Sequence, residues 1–465
     1  MKKILSLILA LVLPSLLIQG CTETDGAVSD SVRGEKTVIS IGGWPTESDT
    51  EMRREYDELI RRFNKIYPEI EIVPDEWGFS INTFLPRAVN GQLPTLYVTA
   101  FTEIQNIINA GYAADISEYA ERDGYTKSVR SDILDLVSND GHVYAIPEYS
   151  YIMGLYMNKK LFKEAGEINP DGTLKIPATW EELAKTAQRI TQKTGKAGFI
   201  MPTVANQGGW HFLNIAWGFG VDKQFMKNEN GKWTVTFDSA EGAAALQYVK
   251  DLKWKYNTLP AEKVIDSSNA WEMFAKGEAA MFLAAPPVNS LTDVYGMNKD
   301  DIAVASMPAG PAGKFTQMGG TIRVIKPDAT EAEIDACFKW MDFIGMSPRL
   351  TEDAKISIEN QYKLDREMGR VVGIMPYTYW KESESEEYTA QMVKKYTNTD
   401  VSSFEDFHNL DRVTVNPEPP ISCQQLYSII DTCIQTVLND KNADPQKVIS
   451  EAAKEFQINY LDRSE

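Results

Sequence analysis

The sequence predicts an α/β fold with open sheets and a mainly helical C-terminal part. Strand and helix patterns alternate from residue 37 to about residue 345, which is typical of this class. The first three patterns form a β-α-β unit, and two helical patterns close the chain. At 465 residues the chain is too long for one ordinary domain and fits two or three.

The β-α-β unit opens the alternating part of the chain. Thr37–Ile41 is a short β-branched run, and Thr50–Tyr67 carries apolar side chains at helical spacing until Pro68 stops it. Glu69–Val73 then returns to a strand pattern. Two strands joined by a helix pair in parallel with a right-handed crossover, so we expect a parallel pair here.

Caps and glycine stops delimit the later elements. Thr179 with Glu182, and Thr330 with Glu333, have the spacing of capping boxes, so each pair marks the start of a helix. These patterns predict strands at 96–100 and 279–284, and helices at 103–110, 180–194, 239–256, 268–276, from 330 onward, 422–438 and 445–460.

The N-terminus has the pattern of a secretion signal. Two lysines precede the apolar run Ile4–Ile18, which is too short for a membrane span of about 20 residues. The run ends in Leu17-Ile18-Gln19-Gly20-Cys21, which resembles a bacterial lipobox. We predict a signal peptide at 1–20, lipidation of Cys21 with an acyl chain such as palmitate, and a flexible tether at 21–36. The alternative is an ordinary cleavage nearby with Cys21 incidental.

Composition excludes several functions. The formal charge is −19, from 47 basic and 66 acidic residues, which disfavours nucleic acid as a partner. Three scattered histidines, with no HExxH or CxxC motif, argue against a metal site, and we expect no cofactor. After Cys21, an odd number of cysteines remains, which predicts buried free thiols at Cys337, Cys423 and Cys433.

Several segments in order resemble one known family. The most specific is Leu155–Gly166, and Thr95 stands where that family usually has Asp. Together the segments resemble the extracellular solute-binding proteins of bacterial ABC importers, the family-1 group that includes maltose-binding protein. The resemblance covers roughly residues 37–345 and the final helices, whereas 347–420 fits less well and is interpreted as an insertion. The matching segments are 63–72, 90–95, 141–147, 155–166, 177–183 and 274–281.

The resemblance implies a two-lobed periplasmic-binding-protein fold of type II. Lobe 1 would comprise 37–147 plus 286–345 and lobe 2 would comprise 148–285 plus 346–465, with crossings near 147–150, 285–288 and 345–347. Such a protein is a monomer and not an enzyme. It binds a carbohydrate, in our interpretation an oligosaccharide, between the lobes and delivers it to ABC permease subunits. It is extracytoplasmic and anchored to the cell membrane through its lipid.

Aromatic side chains are the first candidates for the cleft, because Trp and Tyr rings stack on the C–H faces of sugars. Trp44 follows the first strand at its carboxyl end, where open α/β sheets bind ligands. Tyr149 and Tyr151 flank the first crossing, and Trp210 follows a loop that resembles the family's sugar-stacking segment. Trp271 lies in a short predicted helix. For each of them, core packing is the alternative.

Polar candidates complete the predicted site. Thr102 and Glu103 match a family stretch that binds sugar hydroxyls, although a helix cap with a first-turn acid explains them equally well. Gly320 could bring backbone near the ligand and Arg323 could reach across the cleft, but a turn with a salt bridge is the simpler alternative. At 286–288, Pro-Pro-Val replaces an aromatic residue common in relatives, which favours a ligand other than a maltodextrin.

Two other classes of function stay open. A secreted glycosidase would need two positioned carboxylates, and 66 acidic residues do not exclude such a pair. However, the sequence has no G-x-S-x-G motif, P-loop or metal signature. A sensory receptor would bind the same sugar but present its closed form to a two-component kinase.

Overall fold

The computed structural model describes residues 36–285 and 288–463. The predicted signal peptide, the lipidation site Cys21, the tether up to residue 35, and Pro286 and Pro287 lie outside the described residues. The strands are β1 (Thr37–Ile41), β2 (Ile70–Pro74), β3 (Leu96–Ala100), β4 (Ser138–Asn139), β5 (His142–Val143), β6 (Ala145–Ile152), β7 (Gly154–Asn158), β8 (Met226–Glu229), β9 (Lys232–Val235), β10 (Met281–Ala284), β11 (Ile302–Ala305), β12 (Phe315–Ile325) and β13 (Thr414–Pro417).

The described residues also form eighteen α-helices. They are α1 (Thr50–Ile66), α2 (Ile81–Val89), α3 (Ile104–Asn109), α4 (Ser117–Arg122), α5 (Tyr125–Ser128), α6 (Ser131–Leu134), α7 (Lys159–Ala165), α8 (Trp180–Thr194), α9 (Gln207–Phe219), α10 (Ala240–Trp254), α11 (Ser267–Ala275), α12 (Asn289–Asp293), α13 (Glu331–Phe343), α14 (Glu352–Glu367), α15 (Glu384–Tyr396), α16 (Glu405–His408), α17 (Cys423–Asn439) and α18 (Pro445–Phe456).

The predicted β-α-β unit is confirmed. Strands β1 and β2 pair in parallel from Thr37 opposite Ile70 to Ile41 opposite Pro74, with α1 between them in the chain. Strand β3 pairs with the other edge of β1, also in parallel. The capping box of Thr330 and Glu333 is formed. In α8, Thr179 caps as predicted, but the Glu182 carboxylate accepts from the backbone N–H of residue 178 rather than from the cap itself.

A six-stranded mixed sheet contains the N-terminal unit. Its order is β13-β12-β3-β1-β2, and β6 also pairs with β12. The long strand β12 makes this possible: Phe315–Met318 pairs with β13 in parallel, and Thr321–Ile325 pairs with β3 antiparallel. The carboxyl ends of β1, β2 and β3 therefore lie at one edge of this sheet, because these three strands are parallel.

A second, three-stranded antiparallel sheet has the order β10-β7-β11. Only Met153 separates β6 in the first sheet from β7 in the second, so the chain passes between the sheets there. At the next residue, Gly154, an added Cβ would lie 2.7 Å from Val304 Cγ1 and 2.8 Å from Phe407 Cε2. The passage therefore requires glycine for close packing. The predicted lobe boundaries stay a prediction.

Two apolar clusters form the core, and the three-stranded sheet lies between them. Tyr156 on β7 and Phe282 on β10 pack into the cluster that also contains the six-stranded sheet. Their strand neighbours Leu155 and Met281 pack into the other cluster, with α8, α9, α10 and α17. This division follows from the two-residue period of a strand, and it explains why these strands are buried at every position.

The segment 347–420 contacts both sheets. Ser150 on β6 donates from Oγ to the Tyr377 carbonyl (3.1 Å), and Ser306, which follows β11, donates from Oγ to Asp406 Oδ2 (2.6 Å). The segment also supplies β13, which extends the six-stranded sheet. The predicted insertion thus contacts both sheets and contributes β13 to the six-stranded sheet.

The C-terminal part is helical as predicted, with α17 and α18 packed on α10. The predicted last helix changes to a π-turn at Gln457–Leu461. The prediction of buried free thiols is confirmed for Cys337, Cys423 and Cys433. Among the helices of the described ranges, none is long and apolar enough to cross a membrane.

Candidate ligand-binding site

Two cavities meet at Ala100, the last residue of β3. We call the first the aromatic cavity. It has a volume of about 430 Å³, and its wall includes Tyr151, Trp210, Trp271, Phe282 and Tyr427. We call the second the arginine cavity. It has a volume of about 840 Å³, and its wall includes Trp44, Glu148, Tyr149, Arg323 and Trp340.

The aromatic cavity lies between the two sheets, because its wall takes residues from both. Ala100 and Tyr151 belong to strands of the six-stranded sheet, whereas Phe282 and Ala284 belong to β10 of the three-stranded sheet. The arginine cavity is built on the six-stranded side, at the carboxyl ends of β1 and β3. This is the edge at which open α/β sheets bind ligands.

Trp210 lies in the first turn of α9, which begins at Gln207. A loop was predicted before Trp210, and this prediction is wrong, because the residues from Gln207 onward are helical. A carboxylate from α17 supports the start of this helix. Asp431 accepts from the backbone N–H groups of Asn206 (2.7 Å) and Gly209 (2.7 Å). A carboxylate at a helix N-terminus satisfies unpaired N–H groups and matches the helix dipole. Trp210 is therefore held by a rigid helix end.

Gly209 allows α9 to lie directly on α17. An added Cβ would come within 2.3 Å of the Tyr427 carbonyl oxygen and 2.4 Å of its Cα. This close contact brings Trp210 and Tyr427 to the same part of the cavity wall, although they are far apart in sequence. The glycine that looks like part of a flexible loop in the sequence is thus a packing residue.

A carboxylate joins these two aromatic residues. Glu418 Oε1 accepts hydrogen bonds from Trp210 Nε1 (3.0 Å) and from the Tyr427 hydroxyl (2.6 Å). The Tyr151 ring lies edge-on to the Trp210 ring, with centroids 6.4 Å apart and an interplanar angle of 72°. Trp210 is half-buried, so part of its surface faces the cavity.

Burial changes the protonation of the acidic groups near the aromatic cavity. It raises the pKa of Glu418 to about 7, although the hydrogen bonds from Tyr427 and Trp210 oppose the shift. Burial also raises the pKa of Glu103, against a hydrogen bond from Thr102 Oγ1 to Glu103 Oε1 (3.1 Å). Glu418 therefore titrates near neutral pH.

His211 lies beside Trp210 in the same wall and is fully packed. Its Nδ1 is 2.6 Å from the Gln207 carbonyl oxygen, and its Nε2 is 2.9 Å from the Leu283 carbonyl oxygen. Burial lowers the pKa of His211 to about 4, so the ring is neutral at pH 7. No Lys or Arg appears among the described residues that line the aromatic cavity.

The arginine cavity contains an arginine that forms an ion pair with a glutamate. Arg323 on β12 donates from Nε to Glu148 Oε1 on β6 (3.0 Å), and the pair is largely buried. Trp44 is only 2% exposed and packs edge-on to Tyr56, with centroids 5.0 Å apart. Tyr149 is the exposed aromatic residue here, at 38%. The two charges of the pair offset each other, so this cavity is polar without a net charge.

Seven of the nine predicted site residues line a cavity. Glu103 is not a wall residue of either cavity, and Gly320 lies in β12, where an added Cβ would come within 2.0 Å of the Tyr149 carbonyl oxygen. The absence of a side chain at Gly320 therefore allows β12 and β6 to lie close together. Whether the seven contact a ligand stays a prediction. Thr102, Tyr151, Trp210 and Trp271 line the aromatic cavity, and Trp44, Tyr149 and Arg323 line the arginine cavity.

The alternatives weighed for the polar candidates are resolved in part. The helix α3 begins at Ile104, and Glu103 at its cap position makes no side-chain capping bond. The expected salt bridge of Arg323 is present, with Glu148 as its partner. Trp271 packs edge-on to Tyr156 and Phe282 while also lining the aromatic cavity.

The sequence analysis missed Glu418, Gln424 and Tyr427, which also line the aromatic cavity. The strand β13 ends at Pro417, and Glu418 follows it directly. A carboxylate directly after a short strand pattern was the signal that could have identified this residue. Glu418 was not predicted as a site residue because residues 347–420 were interpreted as an insertion.

Two α/β lobes with a cavity between their sheets have the architecture of the periplasmic type of solute-binding protein. Residues 47–345 match the family described as "Bacterial extracellular solute-binding protein". The match covers more than half of the chain, and the protein belongs to this family. The expectations of a two-lobed fold and of an extracytoplasmic solute-binding class are thereby confirmed.

Individual relatives differ in their described ligands. The chain is 25% identical over 348 residues to the sn-glycerol-3-phosphate-binding periplasmic protein UgpB of Escherichia coli K12, which spans 68% of this chain and 73% of that protein. It is 25% identical over 206 residues to the multiple sugar-binding protein of Streptococcus mutans, spanning 44% of this chain and 45% of that protein.

A solved structure supports the fold. The ABC transporter solute-binding protein of Thermotoga lettingae bound with alpha-D-tagatose superposes with a TM-score of 0.65. The superposition covers 90% of this chain and 98% of that chain, at 21% identity.

Proposed function

We propose that this protein binds a carbohydrate in the cleft that the two cavities form and delivers it to an ABC permease. The observation that carries the proposal is the aromatic cavity, in which Tyr151, Trp210 and Trp271 surround neutral polar groups and one carboxylate. Aromatic rings stack on sugar C–H faces, while amides, hydroxyls and carboxylates bond the sugar hydroxyls. Its polar wall residues are Thr102, Asn206, Gln207, Ser267, Ser290, Glu418 and Gln424.

A phosphate-bearing ligand such as glycerol 3-phosphate fits the cleft less well. A phosphate is recognised by Arg or Lys side chains or by free backbone N–H groups. The aromatic cavity contains the Glu418 carboxylate and no basic residue among its described wall residues. In the arginine cavity, Arg323 is already paired with Glu148. An anion would therefore meet like charge or would have to break an ion pair.

The volume of the cleft supports an oligosaccharide. The two cavities measure about 430 and 840 Å³ and share Ala100, so a ligand of more than one sugar unit could extend from one to the other. Closure of the lobes over such a ligand would follow from contacts that form only when both sides touch it. Small-angle scattering should then show a smaller radius of gyration with ligand than without.

A thermal-shift panel of mono- and oligosaccharides, with glycerol 3-phosphate included, tests the ligand class. A ligand at 100 times its dissociation constant should stabilise the folded protein by about 2.7 kcal/mol. Recovery of the sugar unchanged separates binding from the glycosidase alternative. Stabilisation by glycerol 3-phosphate but by no sugar would contradict the proposal. Loss of uptake of the identified sugar on deletion of the gene would distinguish import from sensing.

We further propose that the mature protein is held at the outer face of the cell membrane by lipid on Cys21. The lipobox pattern supports this. The variant Cys21→Ser should lose acyl labelling and move from the membrane fraction to the soluble fraction. Equal fractionation of the variant and the natural protein would show that the anchor is elsewhere or absent.

A further inference from the structure

One carboxylate, Glu418, lines the aromatic cavity without a cationic partner, and a second carboxylate, Glu103, lies near enough to act on its charge. Neither Glu418 nor Glu103 forms an ion pair with any Lys, Arg or His in the described part of the chain. Glu103 is only 9% exposed, and Glu418 is half-buried. A buried charge with no counter-charge is unfavourable, and two neighbouring carboxylates disfavour each other's ionisation.

The groups around Glu418 include hydrogen-bond donors but no cation. Those that titrate or carry a polar hydrogen come from helices α9 and α17, from strands β6 and β12 and from the turn before α3. None of them carries a positive charge at pH 7, because the one base among them, His211, is neutral. They are His211 and Trp210 on α9, Cys423 and Tyr427 on α17, Tyr151 on β6, Gln317 on β12, and Glu103.

We propose that the natural ligand is an aminated carbohydrate, whose ammonium group binds in the aromatic cavity against Glu418. This inference rests on the proposed carbohydrate function and narrows its substrate class. The Glu418 carboxylate can accept a charge-assisted hydrogen bond from an ammonium group, in a cavity whose wall also includes the aromatic side chains of Trp210, Tyr151 and Tyr427. The absence of Lys and Arg from the described wall leaves the ligand to supply the positive charge.

A neutral sugar would use the same wall differently. Its hydroxyls could donate to Glu418, whose Oε1 already accepts from Trp210 and Tyr427. The net negative charge would then remain unbalanced in the closed cleft, unless Glu418 were protonated. An ammonium group favours the ionised carboxylate, so its binding must release the proton that Glu418 holds near neutral pH. Proton release therefore separates the two modes of binding.

The test uses disaccharides that differ only in the substituent at C2 of each of their two sugar units. Titration calorimetry at pH 6.5 compares the β-1,4-linked glucosamine disaccharide with N,N′-diacetylchitobiose and cellobiose. Two buffers of different ionisation enthalpy report the protons released. We expect the glucosamine disaccharide to bind at least tenfold more tightly than cellobiose, and to release about 0.7 protons per site if Glu418 titrates near 7.

The variant Glu418→Gln keeps an oxygen that can accept from Trp210 and Tyr427 but removes the charge. It should lose both the preference for the amine and the proton release. Glu164→Gln, an exposed residue on α7, is the matched control and should behave like the natural protein. Melting temperatures of both variants check that the fold is intact.

Two results would overturn the inference alone: equal or tighter binding of cellobiose, or an amine preference that survives Glu418→Gln. In either case the sugar-binding function would stand. If neither these disaccharides nor maltose bind at millimolar concentration, the proposed carbohydrate function fails, and the inference fails with it.

Discussion

Replacement of Trp210 by alanine should weaken ligand binding far more than folding. Its ring lines the aromatic cavity, lies edge-on to Tyr151 and donates to Glu418. Aromatic stacking contributes about 0.5–1.5 kcal/mol beyond area burial. Burial of the exposed part of the ring by ligand adds roughly 1–2 kcal/mol. The sum of about 1.5–3 kcal/mol corresponds to a loss of affinity of roughly 10- to 100-fold.

The same replacement should lower the free energy of unfolding by a smaller amount, because Trp210 is only half-buried and packs at the margin of its apolar cluster. A fully buried Trp costs about 3–5 kcal/mol when truncated, so we expect less than half of this at Trp210. The hydrogen bond from Nε1 to Glu418 contributes to the loss. Denaturant unfolding without sugar gives the stability, and calorimetry with the best sugar of the panel gives the affinity.

A second variant separates the ring from its hydrogen bond. Trp210→Phe keeps an aromatic face but has no donor for Glu418, so it should lose only part of the affinity. An affinity unchanged within twofold in Trp210→Ala, together with a stability loss of about 3–5 kcal/mol, would refute the reasoning. Trp210 would then be a core residue that does not contact the ligand.

Other variants test the supports of the cleft. Asp431→Ala leaves two helix-end N–H groups without their acceptor, so it should cost about 2–4 kcal/mol in denaturant unfolding and also weaken sugar binding; unchanged stability would contradict this role. Gly154→Ala places a Cβ 2.7 Å from a neighbouring side chain and should cost about 1–3 kcal/mol, whereas Gly78→Ala, where no atom lies within 4 Å, serves as the control and should not. Glu418 has a pKa of about 7 when folded and 4.5 as its ordinary value, so the folded state holds the extra proton. The stabilising contribution of this proton is therefore complete below pH 4.5 and is lost as the pH rises through 7, by up to about 3 kcal/mol. The difference in free energy of unfolding between the natural protein and Glu418→Gln should change with pH by the same amount over this range. If this difference in free energy of unfolding does not change with pH, water solvates the Glu418 carboxylate and burial does not raise its pKa.

Local patterns in the sequence were sufficient for the elements of the fold. The cap at Thr330 and the end of α8 at Gly195 depend on contacts within a few residues, and the β-α-β unit follows from the order of three short patterns; all three are present. The three buried free thiols were also predicted, because an odd number of cysteines argues against a disulfide framework and a free thiol is a small apolar side chain.

The aromatic candidates were found only in part, since a sequence does not say which side of a ring is covered. Trp44 and Trp210 had similar patterns around them. In the structure the first is 2% exposed beside Tyr56, whereas the second is half-buried beside the cavity. The difference lies in neighbours that come from distant parts of the chain.

By itself, the sequence determined the fold class, the order of helices and strands, and the family, because these depend on periodicity, caps and short motifs. Tertiary structure alone decided the partners in the cleft. Glu418 meets Trp210 across 208 positions of sequence, and Arg323 meets Glu148 across 175. Both pairs exist because β12 lies between β13 and β3 and also pairs with β6, an order that no local pattern encodes. The charge and shape of the cleft therefore arise from strand order, and so does the kind of ligand it can hold.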